Sequence, residues 1–294
     1  MHSARVISAP LVGLLIAAVA LGSPIVTSVS PTPQSLTATR TTQIVINFDS
    51  AIDPSSINTS TVMVWGRWSG MMAGQFQMEN ANTQVRFMPS GNFSAGEWVT
   101  VSLSRGVKGQ TGDSLARGYA WNFWIRSGPG TMNLIELGRL PVRRQGEGHI
   151  QTYGAYAGDV NHDGWTDFLC PNEIPHDVRV FMNDGAGGYN TFTVYPIPGG
   201  NTPSTNEGVD LNGDSIMDFA VGNAGNDSVT VFIGVGDGTF LPSRNYQAAT
   251  GVRGLSTMDL DGDGDSDLAV ANEASDNVSI LKNNGDGTYQ AAVN

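Results

Sequence analysis

The chain has 294 residues, 40% of them hydrophobic and 14% charged, enough for two domains that each bury a core, and this excludes a disordered polar chain. The formal net charge of −12 sits in the second half: from residue 149 onward, 20 acidic residues (17 of them Asp) face four basic ones, whereas residues 1–148 carry 11 basic against seven acidic. So little Lys and Arg beside so much Asp excludes a binder of nucleic-acid phosphates, and the single Cys170 excludes an internal disulfide.

Residues 1–22 read as an export signal. Arg5 gives a positive start, residues 9–21 form an apolar run, and Ala20-Leu21-Gly22 offers small residues before a cleavage point near Ser23. The run is short of the roughly 20 apolar residues a membrane helix needs, so the expectation is a secreted or cell-surface protein with no span after cleavage. Residues 23–126 alternate with period two: Ile44, Ile46 and Phe48 share one face of a strand, and Val99, Val101 and Leu103 share another. Shorter runs at Thr61–Trp65, Gln84–Phe87 and Tyr119–Ile125, with turn clusters between them, predict a β-sandwich. Met71, Met72, Trp65 and Trp68 are expected as core and hairpin packing. Residues 127–148, broken by Ser127-Gly128-Pro129-Gly130 and by Gly146 and Gly148, read as a linker.

From residue 149 to 294 the chain repeats itself. Three nine-residue loops, 159–167, 210–218 and 259–267, line up at spacings of 51 and 49 residues. The correspondence extends to Asn172, Asn223 and Asn272, to Val178, Val229 and Val278, and to Gly185, Gly236 and Gly285. Each unit closes on a Gly-rich turn and an aromatic: Tyr189, Phe240 and Tyr289.

Loop positions one, three, five and nine are Asp or Asn throughout: Asp159, Asn161, Asp163 and Asp167; Asp210, Asn212, Asp214 and Asp218; Asp259, Asp261, Asp263 and Asp267. Short oxygen-bearing side chains at alternate positions of a tight turn suit Ca2+, which takes six to eight oxygens. Position seven varies (Trp165, Ile216, Asp265), as it would if only its carbonyl bound. Position six is Gly164 and Gly264 but Ser215 in the second loop, where a positive φ would weaken the site. No His or Cys recurs, which argues against zinc, and position twelve (Cys170, Val221, Val270) lacks the Glu of an EF-hand.

These stretches resemble known families. Pro24–Val29, the Phe48–Ser56 segment and Gly96–Ile125 resemble a bacterial Ig-like domain of surface-layer and cell-envelope proteins. The Asp loops, with the endings Gly236-Asp237-Gly238-Thr239-Phe240 and Gly285-Asp286-Gly287-Thr288-Tyr289, resemble the FG-GAP/VCBS repeats of integrin-alpha-type β-propellers. The resemblance implies an all-β chain: an Ig-like β-sandwich followed by an incomplete β-propeller of about three blades, part of a longer array. It implies that each Asp loop joins the first two strands of a blade, and that the twelve Asp and Asn side chains above, with the carbonyls of Trp165, Ile216 and Asp265, hold Ca2+.

No G-x-S-x-G, H-E-x-x-H or phosphate loop is present, and His149, His162 and His176 are scattered. The expectation is a calcium-binding, non-catalytic adhesion or binding module for an extracellular glycan or protein. The alternative is the propeller portion of an extracellular carbohydrate-active enzyme, such as a polysaccharide lyase or hydrolase.

Overall fold

The computed structural model describes residues 22–130, 136, 138–214, 216–261, 263 and 265–294. The signal expected at residues 1–22 lies almost wholly outside them, as do Ser215, Gly262 and Gly264.

The first unit has eight strands: β1 (Val26–Ser30), β2 (Ile44–Phe48), β3 (Val62–Gly66), β4 (Gly70–Met71), β5 (Gly74–Glu79), β6 (Gln84–Pro89), β7 (Trp98–Leu103) and β8 (Tyr119–Trp124). They form two antiparallel sheets, ordered β1-β2-β6-β5 and β4-β3-β7-β8. The alternation read from the sequence is the buried face: Ile44, Ile46, Val99, Val101 and Leu103 are fully buried between the sheets, with Val62, Val64, Val85 and Phe87. Each such side chain contributes about 1.5–3 kcal/mol relative to exposure. Trp121 keeps its indole N–H satisfied by donating to the Pro31 carbonyl at 2.9 Å.

The repeats form three blades. The first has β9 (Tyr156–Gly158), β10 (Asp167–Asn172), β11 (Asp177–Phe181) and β12 (Thr193–Pro196). The second has β13 (Pro203–Val209), β14 (Asp218–Asn223), β15 (Ser228–Phe232) and β16 (Arg244–Gln247). The third has β17 (Val252–Met258), β18 (Asp267–Asn272) and β19 (Asn277–Leu281), beside which the Ile280–Val293 bridge marks the place of a fourth strand. Every blade is antiparallel and joins its first two strands through an Asp loop. The blades stack face to face without closing a ring among the described residues: Phe219, Val221 and Phe232 pack against Val178, Val180 and Leu169, and Leu268, Val270 and Leu281 pack against Val229, Val231 and Ala220.

The repeated Asn is a structural bolt. Asn272 is almost fully buried and donates Nδ2 to Asn277 Oδ1 and Ser279 Oγ; Asn223 does the same to Ser228 Oγ and Thr230 Oγ1. Val278 departs from its equivalents. Val178 and Val229 are buried beneath the following blade, but Val278 lies on the outer face of the third blade and is 51% exposed.

The opposite flank of the first blade is covered by the stretch that precedes it. Arg179, 2% exposed, stands where later blades have Thr230 and Ser279. It donates to Val142 O at 2.6 Å, to both Glu147 carboxylate oxygens at 2.7 and 2.5 Å, and to Asp177 at 3.1 Å. Arg179 and Arg144 also lie over the Phe192 ring.

The two units share a core. Trp65 and Met71, expected in core and hairpin packing, are cross-strand partners in the β3–β4 hairpin, and the core they join is that of Tyr156, Val160, Met217 and Phe219 of the first two blades. Arg67 sits 5.1 Å over the Tyr156 ring and 3.7 Å from Glu207. The outer face of the β4-β3-β7-β8 sheet is thereby turned toward the Asp-loop end of the blades.

Candidate metal centres

Each Asp loop is wound around its own carboxylates. Position one accepts backbone N–H groups from across the turn: Asp159 from Asp163 and Gly164 (3.2 and 2.9 Å), Asp210 from Gly213 (2.8 Å), Asp259 from Asp263 (3.1 Å). Position five caps the residue two further on, as Asp163 does for Trp165 and Asp214 for Ile216, both at 2.8 Å. Such a turn forces left-handed backbone, and Gly164 (φ +85), Gly213 (φ +77) and, without glycine's freedom, His162 (φ +61) adopt it.

Position nine is the anchor. Asp167, Asp218 and Asp267 are fully buried. Their Oδ2 atoms accept from the backbone N–H of position two (Val160, Leu211 and Leu260, at 3.0, 2.7 and 2.9 Å). Their Oδ1 atoms accept from Asn183, Gly234 and Asn283 just beyond the third strand, each at 2.8 Å. One side chain thus ties the loop to two strands. The sequence marks these Asp as ligands; their second role depends on a contact 16 residues away that no local pattern encodes.

The third loop brings its carboxylates closest. One oxygen each from Asp259, Asp261 and Asp267 lie within 4.8 Å of one another. Oxygens that share a cation at 2.3–2.6 Å cannot stand more than about 5 Å apart, so this donor set fits a hard divalent ion. Asp263 stands outside that triplet, and Trp165, Ile216 and Asp265 hold position seven of the turns, with Trp165 49% exposed. In the first two loops position three is an amide: Asn161 and Asn212 donate Nδ2 to Asp163 and Asp214 at 2.9 and 2.8 Å, easing a repulsion to which the third loop adds the Asp261 carboxylate. There, Lys282 donates to Asp261 at 3.0 Å and holds its carboxyl below the usual range.

Crowding pushes other loop carboxyls upward. Burial, with Asp210 and Asp214 nearby, raises Asp218 to about 8. Burial, with Asp263 and Asp259 next, raises Asp265 to about 6, and burial raises Asp167 and Asp263. Raised carboxyls packed together mark a place that lacks positive charge. Cys170 is no ligand: it is buried among Phe181 and Phe192, and burial pushes its thiol up to about 11.

Residues 22–124 match the family model of the bacterial Ig-like domain, and residues 159–221 and 210–270 match that of the FG-GAP-like repeat. No curated protein matches the chain. Among solved structures, the copper-resistance protein PcoC from Escherichia coli aligns at 12% identity over 34% of this chain and 98% of its own, with a TM-score of 0.27. The N-terminal part of the bacterial S-layer protein SbsC aligns at 12% identity over 77% and 44%, with a TM-score of 0.29. A lectin of Agrocybe aegerita specific for non-reducing terminal N-acetylglucosamine aligns at 18% identity over 83% and 79%, with a TM-score of 0.38.

Proposed function

We propose that this chain, whose residues 22–124 match a bacterial Ig-like domain and whose residues 159–270 match FG-GAP-like repeats, is an exported, non-catalytic binding module whose blades are braced by Ca2+. The observation that carries the reading is the Asp259–Asp261–Asp267 triplet, set in a loop whose Asp and Asn pattern occurs three times. Asp159, Asn161, Asp163 and Asp167, their equivalents in the other loops, and the carbonyls of Trp165, Ile216 and Asp265 would hold the ions. A bound ion would supply the positive charge that the raised Asp218 and Asp265 carboxyls lack, releasing their protons. The charged apex of each blade would then be fixed, presenting a rigid surface to an extracellular ligand.

Calorimetric titration of chelator-stripped protein with CaCl2 tests this. The expected result is saturable binding at more than one site, with proton release that makes the heat depend on the buffer. Absence of binding to a sample that is folded by circular dichroism would contradict it.

A further inference from the structure

Between the outer face of the Ig-like sheet and the second and third blades runs a cleft of about 320 Å³. One wall is β7. Trp98, Thr100 and Ser102 are alternate residues of that strand, so they share the face turned away from the sandwich core, where Val99, Val101 and Leu103 point. All three reach into the cleft. Trp98 is stacked on Trp124 (centroids 5.1 Å apart, planes at 30°), which fixes its ring, yet its indole N–H is shielded from water and has no acceptor. Among the described residues no hydrogen bond involves the Thr100 and Ser102 hydroxyls, which are open to the cleft. The opposite wall carries Glu207, 17% exposed, with Thr257 and the acidic edge of the third loop.

An unsatisfied shielded donor is uncommon because each costs about 1–3 kcal/mol, and here it stands in line with two unpartnered hydroxyls on a strand facing a carboxylate. The combination of a rigid aromatic plane, hydroxyls free to donate or accept, and carboxylates that only accept suits a ligand with apolar C–H faces and many O–H groups. A purely apolar ligand would leave the Thr100 and Ser102 hydroxyls unmatched. An anion would be repelled, since Arg67, the one basic residue lining the cleft among the described residues, already faces Glu207 at 3.7 Å. A volume of about 320 Å³ lies at the small end of ligand sites, which run from about 300 to 1,000 Å³. We propose that this interdomain cleft binds a neutral oligosaccharide, with Trp98 stacking on a sugar ring and Thr100, Ser102 and Glu207 hydrogen-bonding its hydroxyls.

The proposal rests on the reading of the chain as a binding module; the residues it assigns to sugar contact, Trp98, Thr100, Ser102 and Glu207, are not among the candidate metal ligands, although Asp259 and Asp265 of the third loop line the same cleft. The test is isothermal titration of the full, calcium-supplemented chain with neutral tetrasaccharides of glucose, mannose, galactose and N-acetylglucosamine, and with tetragalacturonate as the anionic counterpart. Saturable binding of at least one neutral tetrasaccharide is expected, weakened tenfold or more in Trp98→Ala and several-fold in the paired variant Thr100→Val with Ser102→Ala. The paired variant keeps the strand's shape should Trp98→Ala disturb the stack on Trp124. No saturable binding of any neutral sugar, tighter binding of tetragalacturonate, or unchanged affinity in both variants overturns the proposal. Because CaCl2 titration of the same samples is read separately, sugar binding can fail while the calcium reading stands, and the reverse.

Discussion

At the scale of single residues, the repeated Asn shows how a small change leaves a trace. Asn172 Oδ1 accepts from Thr152 Oγ1 at 2.6 Å. The residues paired with the equivalent Asn in the later blades are Pro203 and Val252, whose side chains carry no donor, and Asn223 Oδ1 and Asn272 Oδ1 are buried without a partner. Thr152→Val should therefore strip the first blade of the same bond and destabilise it by about 1 kcal/mol, read as a lower urea midpoint at unchanged slope. Val252→Thr should cost far less than a polar group in a core normally does, because Asn272 Oδ1 would receive it.

The loop carboxyls set a pH dependence of definite sign. Asp218 is raised to about 8 and Asp265 to about 6 in the folded chain, against 3.8 when unfolded, so the folded state holds protons that the unfolded state has lost. Their contribution is fully present below about pH 4 and is lost as pH rises through about 6 and then about 8. Chelated protein should thus melt at lower temperature at pH 8 than at pH 5.5, and the gain from added CaCl2 should widen over that interval. A chelated melting temperature that rises with pH would contradict the assignment. The Asp pattern was readable in the sequence because it recurs. Which members of it are desolvated was not, because burial comes from neighbouring blades.

At the scale of elements, the alternation of Ile44, Ile46 and Phe48 was legible because one face of the strand meets water and the other does not. The opposite faces were not legible. Trp65 and the Trp98–Thr100–Ser102 strip follow the same alternation, but what covers them is the second unit, far along the chain. The Gly-rich turns follow the same logic. A Cβ at Gly287 would lie 3.1 Å from Asn212 Cβ and 2.7 Å from Ile233, since this turn rests on the preceding blade's Asp loop. At the equivalent Gly187 a Cβ would meet nothing within 4 Å, because no blade precedes it. Both have positive φ (+73 and +92), so both Ala variants carry a backbone cost of about 1–2 kcal/mol. Gly287→Ala should cost measurably more than Gly187→Ala in denaturant unfolding, and equal costs would show that the turn does not seat against the loop.

At the scale of the whole molecule, the blades are asymmetric. The incoming flank of the first blade is closed by Val142, Arg144 and Glu147 around Arg179, whereas the outgoing flank of the third exposes Val278 and Val293. The repeat itself was plain in the sequence, but this cap was not, because Arg179 meets Glu147 across 32 residues and nothing local pairs them. The Asp loops lie at the end of the blades that faces the Ig-like sheet, so cations there would fix both the blades and the cleft between the units. That the loops are cation sites is the claim on which the proposed function depends. It is tested most directly by crystallising the protein with CaCl2 and recording anomalous diffraction at long wavelength. The account predicts an anomalous peak enclosed by Asp259, Asp261 and Asp267, with corresponding peaks at the first two loops. An ordered third loop with no peak, or with Lys282 still bound to Asp261 in place of an ion, would contradict it.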